Sequence, residues 1–189
     1  MPIAPERQPV FYYDLASPPC YVVAERIMAE LPIVPEWEPV HGAAIGLTDP
    51  EPDPRALAAI LERHGLQPLR LPTGPWPPRS ETAMLAATYA KHIGRAVAFS
   101  LAAFRQAFAG GRDLGDEGTV LIAGAACEMH PAAVLKGIAL RSIREALDGA
   151  GARALEAGVR CLPAIEIGGE LFCGDDALEL ACAPTGPLS

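Results

Sequence analysis

A change of hydrophobic period constrains this chain more than any other feature. From about Asp53 to Ala157 apolar residues recur at helical spacing, and strand-like runs lie only on either side of that block. A chain so arranged has to close a sheet from pieces at its two ends and pack the helical block against it. The first flank begins with PVFYYDL, residues 9–15, which is aromatic, apolar on both faces and bounded by proline, and so predicts a central strand. CYVVAERIMAEL, Cys20 to Leu31, then carries Val22, Val23, Ile27, Met28 and Leu31 at the spacing of one helix. Pro18 and Pro19 suit its first turn, where a missing N–H costs nothing, and Ser17 falls at the N-cap. Ile33 to Val40 reads as a second strand, extended in character despite Pro35.

The middle block opens at DPRALAAILERHG, with Asp53 as cap, Pro54 at the first helical position and a stop at Gly65. A proline-rich connector, LQPLRLPTGPWPPR, separates it from a helix starting at Ser80 and Glu81. AVAFSLAAFRQAFAGG sets Val97, Leu101, Phe104 and Phe108 on one stripe. Further helices are predicted near 116–127 and 131–157, with breaks at Pro131 and at the Gly149/Gly151 pair.

The second flank restores the strand pattern. Ala164 to Ile167 is a short strand, Gly168-Gly169 a two-residue hairpin turn, and Glu170 to Cys173 the returning strand. Gly174 leads into a terminal helix whose first turn holds Asp175 and Asp176, charges that suit a helix N-terminus, and the tail APTGPLS is expected to fray. The fold class expected is α/β, in the order β-α-β, helical insertion, β-β-α. The chain reads as one unit over 1–189, with a sheet-bearing lobe from 8–52 and 158–189 and the helical insertion from 53–157.

Charge and cysteine usage exclude several functions. Fifteen Lys plus Arg against 23 Asp plus Glu give a formal charge of -8 with no basic cluster, so no nucleic acid is expected as a partner. No apolar run reaches the roughly 18 residues of a membrane span, and MPIAPERQPV lacks the pattern of an export signal, so no membrane and a cytoplasmic location are expected. The cysteines are Cys20, Cys127, Cys161, Cys173 and Cys182: an odd set without C-x-x-C or zinc spacing, which indicates neither a disulfide framework nor a metal site.

Two separated motifs carry a family resemblance over nearly the whole chain. The first runs Phe11-Tyr12-Tyr13-Asp14-Leu15-Ala16-Ser17-Pro18-Pro19-Cys20-Tyr21, and the second runs from Gly158-Val159-Arg160-Cys161-Leu162-Pro163 to Phe172-Cys173-Gly174-Asp175-Asp176. Trp37-x-Pro39 is a weaker third match. Together with the element order they resemble the thioredoxin-fold branch that includes DsbA, 2-hydroxychromene-2-carboxylate isomerase and the kappa-class glutathione transferases. The fold implied is thioredoxin-like with a large all-helical, DsbA-like insertion. Relatives are often dimers, so the resemblance leaves a homodimer open.

The physics of the first motif can be stated apart from the family. A side chain at a helix N-terminus lies among free backbone N–H groups and at the positive end of the helix dipole, which stabilises an anion by roughly 0.5 to 2 kcal/mol. In DsbA-like enzymes that position is a cysteine of lowered pKa; here it is Ser17. The resemblance implies that Ser17 donates to the thiolate of bound glutathione, or of another low-molecular-weight thiol. It also implies that Pro163 is cis and that the Leu162 N–H and C=O hold the thiol's peptide like an added strand. Asp175 and Asp176 would meet the γ-glutamyl end, with Asp176 accepting from its ammonium. The sequence departs from the family pattern around Arg79, where an asparagine is expected, and at Cys173, where a tryptophan is expected.

Each of these residues also has a plainer role. Ser17 can be an N-cap alone, Cys20, Cys161 and Cys173 small core residues, Tyr13 and Tyr21 core aromatics, and Asp175 and Asp176 helix-terminal charges. His41 follows the second strand and can approach the site, whereas His64, His92 and His130 fall at helix ends or faces. Trp76 can wall a substrate pocket or plug the junction of the two lobes. Three functions therefore stand as expectations. The first is a glutathione-type, thiol-dependent isomerase or transferase resembling 2-hydroxychromene-2-carboxylate isomerase, acting on a small organic electrophile. The second is DsbA-like thiol–disulfide exchange through Cys20, either as a mixed disulfide with a small thiol or paired with another cysteine, for which Cys161 is the natural candidate. The third is a non-catalytic thioredoxin-like binding module.

Overall fold

The computed structural model describes residues 8–183. Its centre is a four-stranded mixed sheet in the order β2-β1-β3-β4. β1 (Val10–Tyr13) pairs in parallel with β2 (Glu36–Pro39) and antiparallel with β3 (Ala164–Ile167), which returns as β4 (Glu170–Cys173). β1 is interior, as its two apolar faces require: Phe11, Tyr12 and Tyr13 are all buried. The two ends of the sequence thus meet in one ladder, Phe11 opposite Ile165 and Tyr12 opposite Ala164. Gly168 and Gly169 both adopt positive φ (61° and 86°), the backbone that a tight two-residue hairpin demands.

The first flank is more broken than its periodicity suggests. β2 begins only at Glu36, whose N–H donates to the Pro9 carbonyl at 2.7 Å, because Pro35 has no N–H with which to extend the ladder. The single helix expected over Cys20–Leu31 is two, α1 (Pro18–Ala24) and α2 (Ile27–Glu30). The turn between them brings Arg26 inward, where it is 7% exposed and donates to Glu30 (2.8 Å) and to Glu179 (2.8 Å). That ion pair ties the first flank to the last helix.

Helices α3 (Pro54–Arg63), α4 (Glu81–His92), α5 (Ala96–Phe104), α6 (Glu117–Ala126), α7 (Pro131–Ile138) and α8 (Arg141–Glu156) form the middle block, and α9 (Ala177–Cys182) closes the fold. α4 is central, packed against α5, α6, α7, α8 and β2. Its buried face is built of Ala83, Ala86, Ala87 and Ala90, small enough for neighbouring helices to approach closely. The stripe expected on α5 is rotated: Phe99, Ser100, Ala103 and Phe104 are buried, while Val97 and Leu101 are only half-buried. Two contacts account for the rotation. Ser100 shares a 2.6 Å hydrogen bond with the Tyr13 hydroxyl, and a π-helical turn over Arg105–Ala109 inserts one residue and swings Phe108 under Tyr21, ring centroids 5.7 Å apart.

Gly149 and Gly151 do not break α8, which runs through both; Gly151 instead lets Ile45 pack close, since a Cβ there would lie 2.9 Å from its side chain. The break falls at Ala139–Leu140. Asp175 and Asp176 precede α9 rather than filling its first turn, with Asp176 at the N-cap position and no side-chain capping bond. The tail expected to fray lies outside the described residues from position 184 onward. Among the described residues no helix is long and apolar enough to cross a membrane.

Candidate active site

The junction of β1 with α1 is organised by a buried carboxylate. Asp14, 5% exposed, accepts from the Ala16 N–H at 2.8 Å and the Gly42 N–H at 2.7 Å, and it shares a cavity with Ser80. Burial pushes its pKa above the usual carboxylate range against the opposing pull of those donors. One side chain thereby pins together the end of β1 and the turn after β2. Gly42 is required here, because a Cβ would run into the Leu47 carbonyl.

Ser17 caps α1, accepting from the Cys20 N–H at 3.2 Å. Its hydroxyl shares a cavity with the carboxylate of Asp49, a residue to which the sequence pattern assigned nothing. Asp49 is half-buried, and burial raises its pKa above the ordinary aspartate value, with Asp175 and Asp14 adding repulsion and the Ser17 hydroxyl opposing them. The loop that carries it is held by Trp76, whose Nε1 donates to the Asp49 carbonyl at 2.8 Å. Trp76 therefore walls the helix tip, one of its two expected roles.

Across from Ser17 lies Leu162, joined to Pro163 by a cis peptide bond, the isomer expected from the resemblance. Ser17, Asp49, Leu162, Ser80 and Trp76 line one cavity of about 20 Å³, room for a single water-sized group. Neither the N–H nor the C=O of Leu162 has a hydrogen-bond partner among the described residues, although the ladder resumes at once beyond it, with Gly174 N–H donating to the Pro163 carbonyl at 2.8 Å. The tip thus presents a hydroxyl, a carboxylate and an unpaired peptide.

The thiols are distributed differently from expectation. Cys20 is fully buried, and burial pushes its thiol pKa well up, with the Ser17 hydroxyl pulling the other way and Asp49 adding to the rise. The expected pairing of Cys20 with Cys161 is not formed. Cys161 faces Cys173 instead: the Cys173 Sγ lies 3.3 Å from the Cys161 carbonyl, and the Cys173 sulfur helps to raise the Cys161 thiol pKa. The reason is register, since the antiparallel β3–β4 ladder sets Cys173 opposite Ala164, beside the loop that carries Cys161.

The remaining candidates lie around this centre. Asp175 and Asp176 are exposed. Asp175 borders a neighbouring hollow of about 140 Å³ shared with Pro19, Val22 and Asp53, while its charge acts on Asp49 and Cys161. His41 lines a separate pocket of about 350 Å³ with Arg79, Ser80 and Glu81, on the far side of Pro77 and Pro78. Arg79 is exposed and paired with Asp113 at 3.3 Å, and it is the adjacent Ser80 that turns inward. Trp37 packs edge-on against Phe11 and Tyr13, its Nε1 buried without a partner, which places it in the core beneath β1.

Comparison with known proteins agrees with this geometry. The family model described as DSBA-like thioredoxin domain matches residues 10–181. No curated protein matches the chain. Among solved structures, a 2-hydroxychromene-2-carboxylate isomerase superposes with a TM-score of 0.78 at 18% identity, covering 92% of each chain. A Streptomyces coelicolor protein described as a probable DsbA oxidoreductase gives 0.68 at 16% identity, covering 96% of this chain and 92% of its own. The oxidoreductase DsbA of Xylella fastidiosa gives 0.62 at 13% identity over 96% of this chain and 83% of that one. At these identities the likeness is one of fold.

Proposed function

This chain belongs to the DSBA-like thioredoxin domain family, and on that premise we propose that it is a thiol-dependent isomerase or transferase for a small organic electrophile, using glutathione or another low-molecular-weight thiol. The reading rests on one juxtaposition, the Ser17 hydroxyl and the unpaired Leu162 peptide lining the same cavity at the tip of α1. Cys20 supports it by exclusion, because a sealed thiol of raised pKa offers no thiolate to an incoming substrate.

The residues suit a thiol held end-on. A cavity of about 20 Å³ admits a sulfur but not the body of such a ligand, which would extend past Leu162 toward the hollow beside Pro19 and Asp175. When bound, the thiol supplies the sulfur nucleophile. Asp49 takes its proton; a carboxylate of raised pKa is a stronger base than an exposed one. Ser17 then turns its hydroxyl to the sulfur, where the positive end of α1 adds to the stabilisation. Leu162 pairs with the adjoining peptide through its N–H and C=O, and Asp175 and Asp176 stand ready for an ammonium.

Titration calorimetry with reduced glutathione tests the reading directly. Binding to the wild type, weakened at least tenfold in Ser17→Ala, is expected. No heat with glutathione, cysteine or a cysteinyl-glycine thiol in the millimolar range would overturn the thiol-dependent reading and leave the non-catalytic module standing. Equal binding to wild type and Ser17→Ala would remove Ser17 from the site.

A further inference from the structure

A second thiol chemistry is built into the fold, outside the Ser17 cradle. Cys161 stands two residues before the cis proline and Cys173 ends β4, and the backbone between them is fixed by the Ala164–Cys173 pairing and the Gly174-to-Pro163 hydrogen bond. The Cys161 sulfur packs beside Gly174, whose φ is 92° and where a Cβ would stand 3.9 Å from that sulfur. Both thiols are half-buried, reachable from solvent, with the Cys173 Sγ 3.3 Å from the Cys161 carbonyl. The other cysteines are placed apart from them. Cys127 is buried against its own helix carbonyls at Ala123 and Gly124, Cys182 is exposed beside the Glu30 carbonyl, and Cys20 is sealed.

We infer that Cys161 and Cys173 are a redox-active dithiol that closes to a disulfide by exchange with a low-molecular-weight disulfide. In the first half-step one protein sulfur, deprotonated, attacks the small disulfide; its S–S bond breaks, one small thiolate leaves, and a mixed disulfide forms on the protein. In the second the partner sulfur, losing its proton, attacks the protein sulfur of that mixed disulfide and expels the second small thiolate. Two protein thiols are oxidised, one small disulfide is reduced to two thiols, and the two protons end on those products.

The surroundings bear on the choice of oxidant. Burial first, and then the Cys173 sulfur beside it, push the Cys161 thiol pKa up to about 12, with Asp49 and Asp175 adding to the rise. One sulfur opens the exchange and its neighbour, held beside it by strand register, closes it. The same two carboxylates favour a cationic oxidant over an anionic one.

Cystamine, a cationic disulfide, is the probe. The full-length protein is incubated with it, the thiols are counted, and bridged peptides are mapped by mass spectrometry. The expected result is loss of the Cys161 and Cys173 thiols with no added cysteamine at either position and a peptide joining the two, whatever adduct the exposed Cys182 takes. In Cys161→Ser a cysteamine adduct is expected to accumulate on Cys173. An unbridged Cys161 and Cys173 alongside a modified Cys182 would overturn the inference, as would a bridge to Cys20, or a Cys173 left unmodified in a Cys161→Ser protein of native circular dichroism. None of these outcomes depends on glutathione binding at Ser17.

Discussion

The Ser17 hydroxyl and the Asp49 carboxylate line one cavity, where the hydroxyl opposes the burial that raises the carboxyl pKa, so the cap of α1 and a base from the loop after β2 meet at the same point. An N-cap serine need only satisfy its own helix, as Ser17 does through the Cys20 N–H. The half-buried Asp49 carboxylate on the same cavity, its pKa raised by burial, gives the tip its acid–base character.

Asp49 makes stability depend on pH with a definite sign. Its folded pKa lies above the unfolded value of 3.8, so the fold favours the protonated form. The stabilisation is complete below that value and is lost as pH rises through the folded pKa. Asp14 acts in the same direction. Urea denaturation across the acidic range should therefore show a stability decline in the wild type that is shallower, though not abolished, in Asp49→Asn. An identical slope in the variant would place Asp49 in an ordinary solvated environment.

Cys20 should behave as core. In the native protein it should resist an aromatic disulfide reagent that labels Cys182, and become reactive only on unfolding. Cys20→Ser puts a hydroxyl where no water reaches, and a cost of about 1–3 kcal/mol is expected from chemical denaturation. Rapid native labelling of Cys20 would contradict its complete burial.

Gly42 links packing to the site. A methyl group there meets the Leu47 carbonyl and stands 3.3 Å from both the Asp14 carboxylate and the Leu162 side chain. Gly42→Ala should cost about 1–3 kcal/mol and weaken thiol binding, because the displaced loop carries Asp49. Denaturation and calorimetry on the same variant separate the two effects; unchanged values in both would mean that the loop yields freely.

Arg26 should matter more than a surface charge does. Its side chain is 7% exposed while Glu30 and Glu179 are 40% and 41% exposed, which sets its bridge between a solvated pair and a fully buried one. Arg26→Ala is expected to cost about 1–3 kcal/mol. Added salt should narrow the gap between wild type and variant, and a salt-independent difference would point to lost packing alone.

Local chemistry made much of the fold legible. Gly168-Gly169 between two short apolar runs dictates a hairpin, and its bounds are those observed. Pro18, Pro19 and Ser17 mark the start of α1, just as Asp53 and Pro54 mark that of α3. The places where periodicity misled were settled by distant partners. Arg26 turns inward to reach Glu179, Ser100 rotates α5 to meet Tyr13, and Gly151 stays helical because Ile45 packs on it.

For the site, sequence alone determined the residue types at the helix tip and before the cis proline, because caps, turns and proline restrict only their near neighbours. What it could not determine was which groups would face them. Asp49 reaches Ser17 through a loop held by Trp76, and Cys161 meets Cys173 rather than Cys20 because strand register sets the lateral neighbours of the proline loop. Those are long-range geometric outcomes of packing the sheet. A cysteine or carboxylate carries no local mark of the partner that such packing will bring to it.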